Sequence, residues 1–293
     1  MTRLVLILSI LLGTGATAPV PVFGDEATPQ RTVSLAPSVT EVLFAVGAGD
    51  RVVGVTDWCD WPPAARSLPK VGGHVDPNIE FVATLMPDLV VLEEAAVEVR
   101  GQLERLGLRI LTVEHRHLEG VLASLTTVGE ACGTVEIAAA QRRSLTTRLE
   151  AVRDGAAVRG KVRALVVIGR DLGRGELRDV YVAGRGTFLG ELLEAAGGEN
   201  ACPVDAVRYP MLTREALMRL APDVVFELAP EFAADVQAPG RLRDAWRELH
   251  VPAGMHDRVY VITDDFPMIP GPRVIDTLEM FAAAFAKLRG DGS

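Results

Sequence analysis

Cysteine, histidine and aromatic residues are all scarce in this 293-residue sequence: three Cys, five His, and Phe, Trp and Tyr together only 5%. Cys59, Cys132 and Cys202 contain no C-x-x-C pair, which argues against a redox dithiol or a structural zinc motif. An oxidising compartment would permit one disulfide among them, and the spacing does not say which. Positive charge is also deficient: 30 Lys and Arg stand against 39 Asp and Glu, a net charge of −9. A nucleic-acid partner needs a basic face, and an anionic membrane surface would repel this chain. Nucleophile-elbow, phosphate-loop and H-E-x-x-H motifs are missing, and "GRGTFLGE" lacks the Lys-Ser/Thr of a Walker loop. Beyond the N-terminus no apolar run approaches the ~18 residues a membrane helix needs, so direct membrane insertion is not expected.

The N-terminus itself reads as an export signal. Arg3 precedes the apolar run Leu4–Leu12, and small residues and prolines follow in "GTGATAPVPVFG". The run is too short for a stable anchor. Val22 and Gly24 suit cleavage better than Ala18, which Pro19 follows, so residues 1–24 are assigned to a signal peptide. No Cys follows the run to carry a lipid.

The remaining chain contains itself twice. "EVLFAVGAGD" (Glu41 to Asp50) matches "ELLEAAGGEN" (Glu191 to Asn200). Each reads as an amphipathic helix stopped by glycine. A strand is expected before each, "RTVSLA" in the first half and "DVYVAG" in the second. "EFVATLMPDLVVL" from Glu80 matches "EALMRLAPDVVFE" from Glu215: a short helix, a Pro-Asp turn and a β-branched strand. Between the halves, residues 134–157 have no Pro, and no Gly before Gly155, and predict one long helix. "KVRALVVIG" then opens the second half as a buried strand. The expected fold is therefore α/β, with two lobes of mainly parallel sheet, residues 31–133 and 158–293, joined by the helix 134–157. Loops at the carboxyl ends of the strands should line a crevice between the lobes.

The segment "VSLAPSVTEVLFAVGAGDRVVGVTDWCDWPPAARSLPKVGGHVDPNIEFVATLMPDLVV" closely resembles the first lobe of substrate-binding proteins of bacterial ABC importers for vitamin B12, siderophores and haem. The resemblance runs from Arg31 to about Leu288. "GVTDWCDWPP" and "VGGHVDPNIE" look most like the vitamin B12 branch. It implies the class III periplasmic-binding-protein fold, a periplasmic location, no enzymatic activity and no intrinsic cofactor. Cobalamin or another corrinoid is implied as the transported ligand, ABC permease subunits as the partner, and a monomer as the acting form. Haem or a ferric siderophore on the same scaffold is the alternative.

Residue by residue, the resemblance assigns Glu80 and Glu215 to permease docking, one in each lobe. Each carboxylate sits near a helix start, where it suits bidentate pairing with Arg. Trp58 matches an aromatic ligand contact; Trp61, against Pro62 and Pro63, either joins it or caps the core of its own lobe. His74 either stacks on the ligand or coordinates a metal centre. Tyr209, Asp265 and Phe266 are the expected contacts from the second lobe. Ile269 stands where some members carry a basic residue, and Gly73 where some haem-binding members carry Tyr. Arg273 reads as a loop-fixing residue. His115 and His117, in "EHRH", read as a surface strand end. Outside this class, His74, His115, Asp57 and Asp60 could hold a metal in an extracellular metallohydrolase, and a scavenger that docks to no importer is a further alternative.

Overall fold

The computed structural model describes residues 27–157, 160–171, 177–204 and 206–290; the expected signal peptide, residues 1–24, lies outside them. The chain runs β1 (Thr32–Ser34), α1 (Pro37–Ala45), β2 (Val52–Val55), α2 (Ile79–Thr84), β3 (Leu89–Glu93), α3 (Val97–Arg105), β4 (Ile110–Val113) and α4 (Leu118–Ala131). The long α5 (Val135–Ala157) follows. Then come β5 (Val162–Asp171), β6 (Arg178–Val182), α6 (Phe188–Ala195), β7 (Gly198–Asn200), β8 (Met211–Leu212) and α7 (Arg214–Leu220). The chain closes with β9 (Val224–Leu228), α8 (Ala238–Glu248), α9 (Pro252–Met255), β10 (Val259–Ile262) and α10 (Val274–Leu288).

The first sheet has the order β2-β1-β3-β4, and every pairing in it is parallel. In the second sheet β7-β5-β9-β10 repeats that order, again wholly parallel. The repeat is thus tertiary as well as sequential, with one correction. The counterpart of β1 is β5, not the "DVYVAG" strand. That segment forms β6, which runs antiparallel to β5 and pairs with β8 as an addition between the repeated strand and the repeated helix. The glycine stops are where the repeat predicts them. Gly47 and Gly197 have φ of 81° and 90°, a left-handed conformation that costs glycine little.

Strands buried on both faces read as unbroken apolar runs. Val90 and Leu92 face α2 and α3, whereas Leu89 and Val91 face the opposite layer. Leu165 and Val167 pack with Trp246, whereas Ala164 and Val166 turn to the same opposite layer. That layer is shared by both halves. Val39 and Leu43 of α1, Leu125 of α4, Leu145 of α5, Leu192 of α6, and Phe281 and Phe285 of α10 belong to one buried cluster reaching both sheets. Phe226 of β9 lies 4.2 Å from the Phe281 ring and 5.4 Å from that of Tyr260. On the outside, Arg148 of α5 pairs with Asp276 and Glu279 of α10 at 2.6 and 2.8 Å.

Polar ties also cross between the halves, and the repeated glutamates make two of them. Glu41 of α1 accepts from the Arg273 guanidinium, at 3.1 Å from Nε, and Glu191 of α6 accepts from His117 Nδ1 and Leu118 N at 2.8 and 2.7 Å. A Cβ at Gly271 would stand 2.7 Å from Glu41 Oε2, so "PGPR" must carry glycine there. The three cysteines are buried as thiols, and Cys59 sits between the hydroxyls of Thr40 and Thr56 at 3.1 and 3.0 Å.

Burial raises the Glu41 carboxyl above its ordinary value, and Arg273 pulls it part of the way back. A carboxyl with a raised folded pKa contributes stability that is full below its unfolded value and lost as pH rises through the folded one. Arg273→Met leaves the carboxylate buried without its partner and should cost about 3–5 kcal/mol in urea unfolding at pH 7. It also moves the folded value of Glu41 further up, so the deficit should be smaller at pH 5 than at pH 8. Equal deficits at the two pH values would refute this account of the pair.

Candidate ligand-binding cleft

Between the two sheets lies a cleft of about 650 Å³. Its walls come from the carboxyl ends of strands. Ala36 and Ser38 follow β1, Trp58 and Asp60 follow β2, Glu93 ends β3, and His115 and Arg116 follow β4. From the other half come Phe188 at the start of α6, Tyr209 before β8, and Asp265, Met268, Ile269 and Pro270 after β10. Parallel strands end together on one side, and helices leave from there, so backbone and side chains converge on a crevice.

The structure brings Trp58, His74, Tyr209 and Asp265 into this cleft. Trp58 is 67% exposed, a large flat apolar surface left uncovered at the rim. Tyr209 leans on the shared core, and burial, ahead of the nearby Glu93 carboxylate, keeps its phenol protonated against the pull of Arg208. Trp61 and Phe266 do not line the cleft. Their rings flank the Arg273 guanidinium at 4.9 and 5.4 Å. Trp61 therefore covers the cation that crosses to Glu41, while 45% of the residue stays exposed. The loop-fixing reading of Arg273 is sharpened: it fixes one half against the other.

The "EHRH" segment is the clearest correction. His115 is not a surface residue; it is 4% exposed, and both ring nitrogens are buried without a hydrogen-bond partner. Two residues past the β4 residue Val113, it lies on the same buried face, the consequence of a two-residue period. His117 precedes α4 and is held by Glu191. Sequence reading also missed Glu93, Arg116 and Arg208. Glu93 accepts from Ser38 Oγ at 2.7 Å, and His115 Nδ1 is 3.8 Å from the same oxygen. Burial opposes ionisation of Glu93, but Ser38, His115 and His74 outweigh it and hold the carboxyl below its usual range. Arg116 pairs with Glu114 and Glu94, and Arg208 donates to the Arg116 carbonyl across the cleft at 3.0 Å. The usable signal was position: Glu93 and Arg116 each stand at or just after a predicted strand end. Among the described residues no three His, Cys, Asp or Glu side chains gather as a metal site, so His74, His115, Asp57 and Asp60 do not form the set a metallohydrolase would need.

Glu80 and Glu215 stand outside the cleft, each exposed in the first turn of its helix. Their surroundings repeat in detail. Asn78 caps α2 by accepting from Phe81 N, and Thr213 caps α7 by accepting from Ala216 N. Arg31, just before β1, donates to the Leu85 carbonyl behind α2, and Arg163 of β5 donates to Leu220 behind α7, at 2.7 and 3.1 Å. Glu215 is held below the usual carboxylate range by its own backbone N–H and by the Thr213 hydroxyl.

Residues 32–266 match the periplasmic binding protein family. The chain belongs to that family. It is 31% identical over 262 residues to an uncharacterized ABC transporter substrate-binding lipoprotein, YvrC, of Bacillus subtilis, covering 87% of this chain and 79% of that protein. Among solved structures, the vitamin B12 binding protein BtuF of Vibrio cholerae superposes with a TM-score of 0.76 at 25% identity, over 88% of this chain and 96% of that one. A periplasmic heme binding protein from Pseudomonas aeruginosa also superposes with a TM-score of 0.76, at 29% identity, over 88% and 92%. The α/β fold with parallel sheets is shared with these class III binding proteins. Among the described residues no helix is long and apolar enough to cross a membrane.

The two tryptophans should separate in unfolding experiments. Trp61→Ala removes the ring over Arg273 and should lower stability by about 1–2 kcal/mol. Trp58→Ala, at an exposed rim position, should stay within about 0.5 kcal/mol. Chemical denaturation of both variants checks this, and equal losses would contradict it.

Proposed function

We propose that this protein is the periplasmic solute-binding component of an ABC importer, and that its cargo is a corrinoid such as cobalamin. The observation that carries the reading is the cleft, in which flat and apolar groups face each other from the two halves: Trp58 on one side, Phe188, Tyr209 and Met268 on the other. Such walls suit the faces and edges of a macrocycle. His74, exposed at the rim, either stacks on the ligand or meets a metal centre carried by it. The resemblance of "GVTDWCDWPP" to the vitamin B12 branch, and the 27% identity to the vitamin B12-binding protein of Vibrio cholerae over 85% of this chain, support a corrinoid over other cargo.

Haem is the second reading. It is favoured by Arg116 and Arg208 at the cleft wall, which suit carboxylates, and by the likeness to heme-binding proteins. The protein acts as a binder, not an enzyme, and is exported by residues 1–24. It delivers cargo as a monomer by setting Glu80 and Glu215 against arginines of the two permease subunits. The matched caps and the matched arginine supports of the two helices support that pairing, because they hold both carboxylates in the same local frame.

Titration of the purified protein with cobalamin, haemin and a ferric siderophore, read by quenching of Trp58 fluorescence, separates the cargoes. Cobalamin should bind tightest, and Trp58→Phe should remove most of the quench. Tight haemin binding with none for cobalamin would replace the corrinoid reading. For docking, Glu80→Ala with Glu215→Ala should abolish ligand uptake by cells while leaving Kd for the ligand unchanged. Undiminished uptake would sink the docking assignment.

A further inference from the structure

The cleft is not closed beside Glu93. A second cavity of about 510 Å³ adjoins it there, lined by Leu35, Val75, Ala95, Ala96 and the first turn of α3. Ala36, His74, Glu93 and Ala95 border both spaces. Glu93 is the group at this passage with most to offer a ligand. A third of its side chain is exposed, and it lies close enough to Tyr209 of the opposite wall to act on its phenol. Its attractive neighbours are a hydroxyl and two imidazoles, Ser38, His115 and His74. Of the cleft's two arginines, Arg116 pairs with Glu94 and Glu114, and Arg208 donates to the Arg116 carbonyl and lies beside Tyr209. Behind Glu93, the buried His115 has no hydrogen-bond partner for either nitrogen, an arrangement that costs free energy unless it serves the carboxylate in front of it.

A carboxylate in such a place accepts hydrogen bonds and donates none. It suits an N–H donor and repels another carboxylate, and a mismatched anion here would be penalised more than in water because the surroundings are partly desolvated. The side cavity has Leu35, Val75, Val97 and Val99 in its walls together with a second carboxylate, Glu98, and so suits an arm without negative charge. We infer that Glu93 is a specificity residue that accepts a hydrogen bond from a primary carboxamide arm on the rim of the ligand and turns away a carboxylate at the same place. Ser38 and His115 are positioning residues for it. The inference rests on the reading of the cargo as a corrinoid, whose rim carries such carboxamides, and it gives that reading a group that discriminates against the carboxylate-bearing haem.

The test compares amide and acid forms of one macrocycle by Kd. Cobalamin is set against its derivatives in which a single rim carboxamide is hydrolysed, and haemin is set against its bis-amide. Wild-type protein should prefer the amide by about tenfold or more in at least one corrinoid pair and in the haemin pair. Glu93→Gln should reduce the preference to about threefold or less, chiefly by tightening the acid. Ser38→Ala, which keeps the carboxylate and removes a small hydroxyl, should shift the same ratio in the same direction by less. This second variant keeps the test available if Glu93→Gln folds poorly. Preference ratios unchanged by both variants would overturn the inference. If the wild type binds haemin and no corrinoid, the corrinoid reading fails, and the haemin pair still decides the role of Glu93.

Discussion

A carboxylate with about 4% of its residue surface exposed stays in a protein interior only where a cation and a fitted backbone meet it. Glu41 meets Arg273, 232 residues away, under the rings of Trp61 and Phe266 and beside a glycine that leaves it room. This contact ties the first helix of one half to the start of the last helix of the other. Around it runs a single apolar cluster through α1, α4, α5, α6 and α10. The two halves therefore cannot swing far apart without exposing core that is buried on both sides, which opposes a large hinge motion.

A cleft held in this way would select by shape and lining rather than by closing around whatever enters. Its width is set by packing remote from the cargo, and its chemistry by side chains at the ends of strands. That division explains why relatives of similar fold are named for vitamin B12 in one case and heme in another. The scaffold carries the lobes, while the cargo follows from a few lining groups. In this chain the groups we propose for that role are Trp58, His74, Tyr209 and the carboxylate of Glu93.

Much of the fold was legible because a repeat is strong evidence of a tertiary unit. The glycine stops at Gly47 and Gly197, the Pro-Asp turns and the long helix all followed from local rules. The strand β6 was misplaced because an apolar alternating run states that a strand exists, not which neighbour it pairs with or in which direction. Trp61 shows the same limit at the site. Its sequence neighbours suit a binding loop and a core cap equally well, and its contact with Arg273 is one that no local pattern signals. His115 was read as a surface strand end because no cluster of metal ligands was visible around it, whereas the two-residue period past Val113 turns it inward.

By itself, the sequence determined the α/β class, the duplicated halves, the long connecting helix and the family, since each rests on local periodicity or on residues matched in order. Only the tertiary structure decided which side chains share the cleft. It separated Trp58 from Trp61, set Phe266 against Arg273, buried His115, and paired Glu41 and Glu191 with partners in the opposite half. The reason is that contacts between the ends of different strands depend on strand order and direction, which are set by how the whole chain buries its apolar faces and not by any one segment.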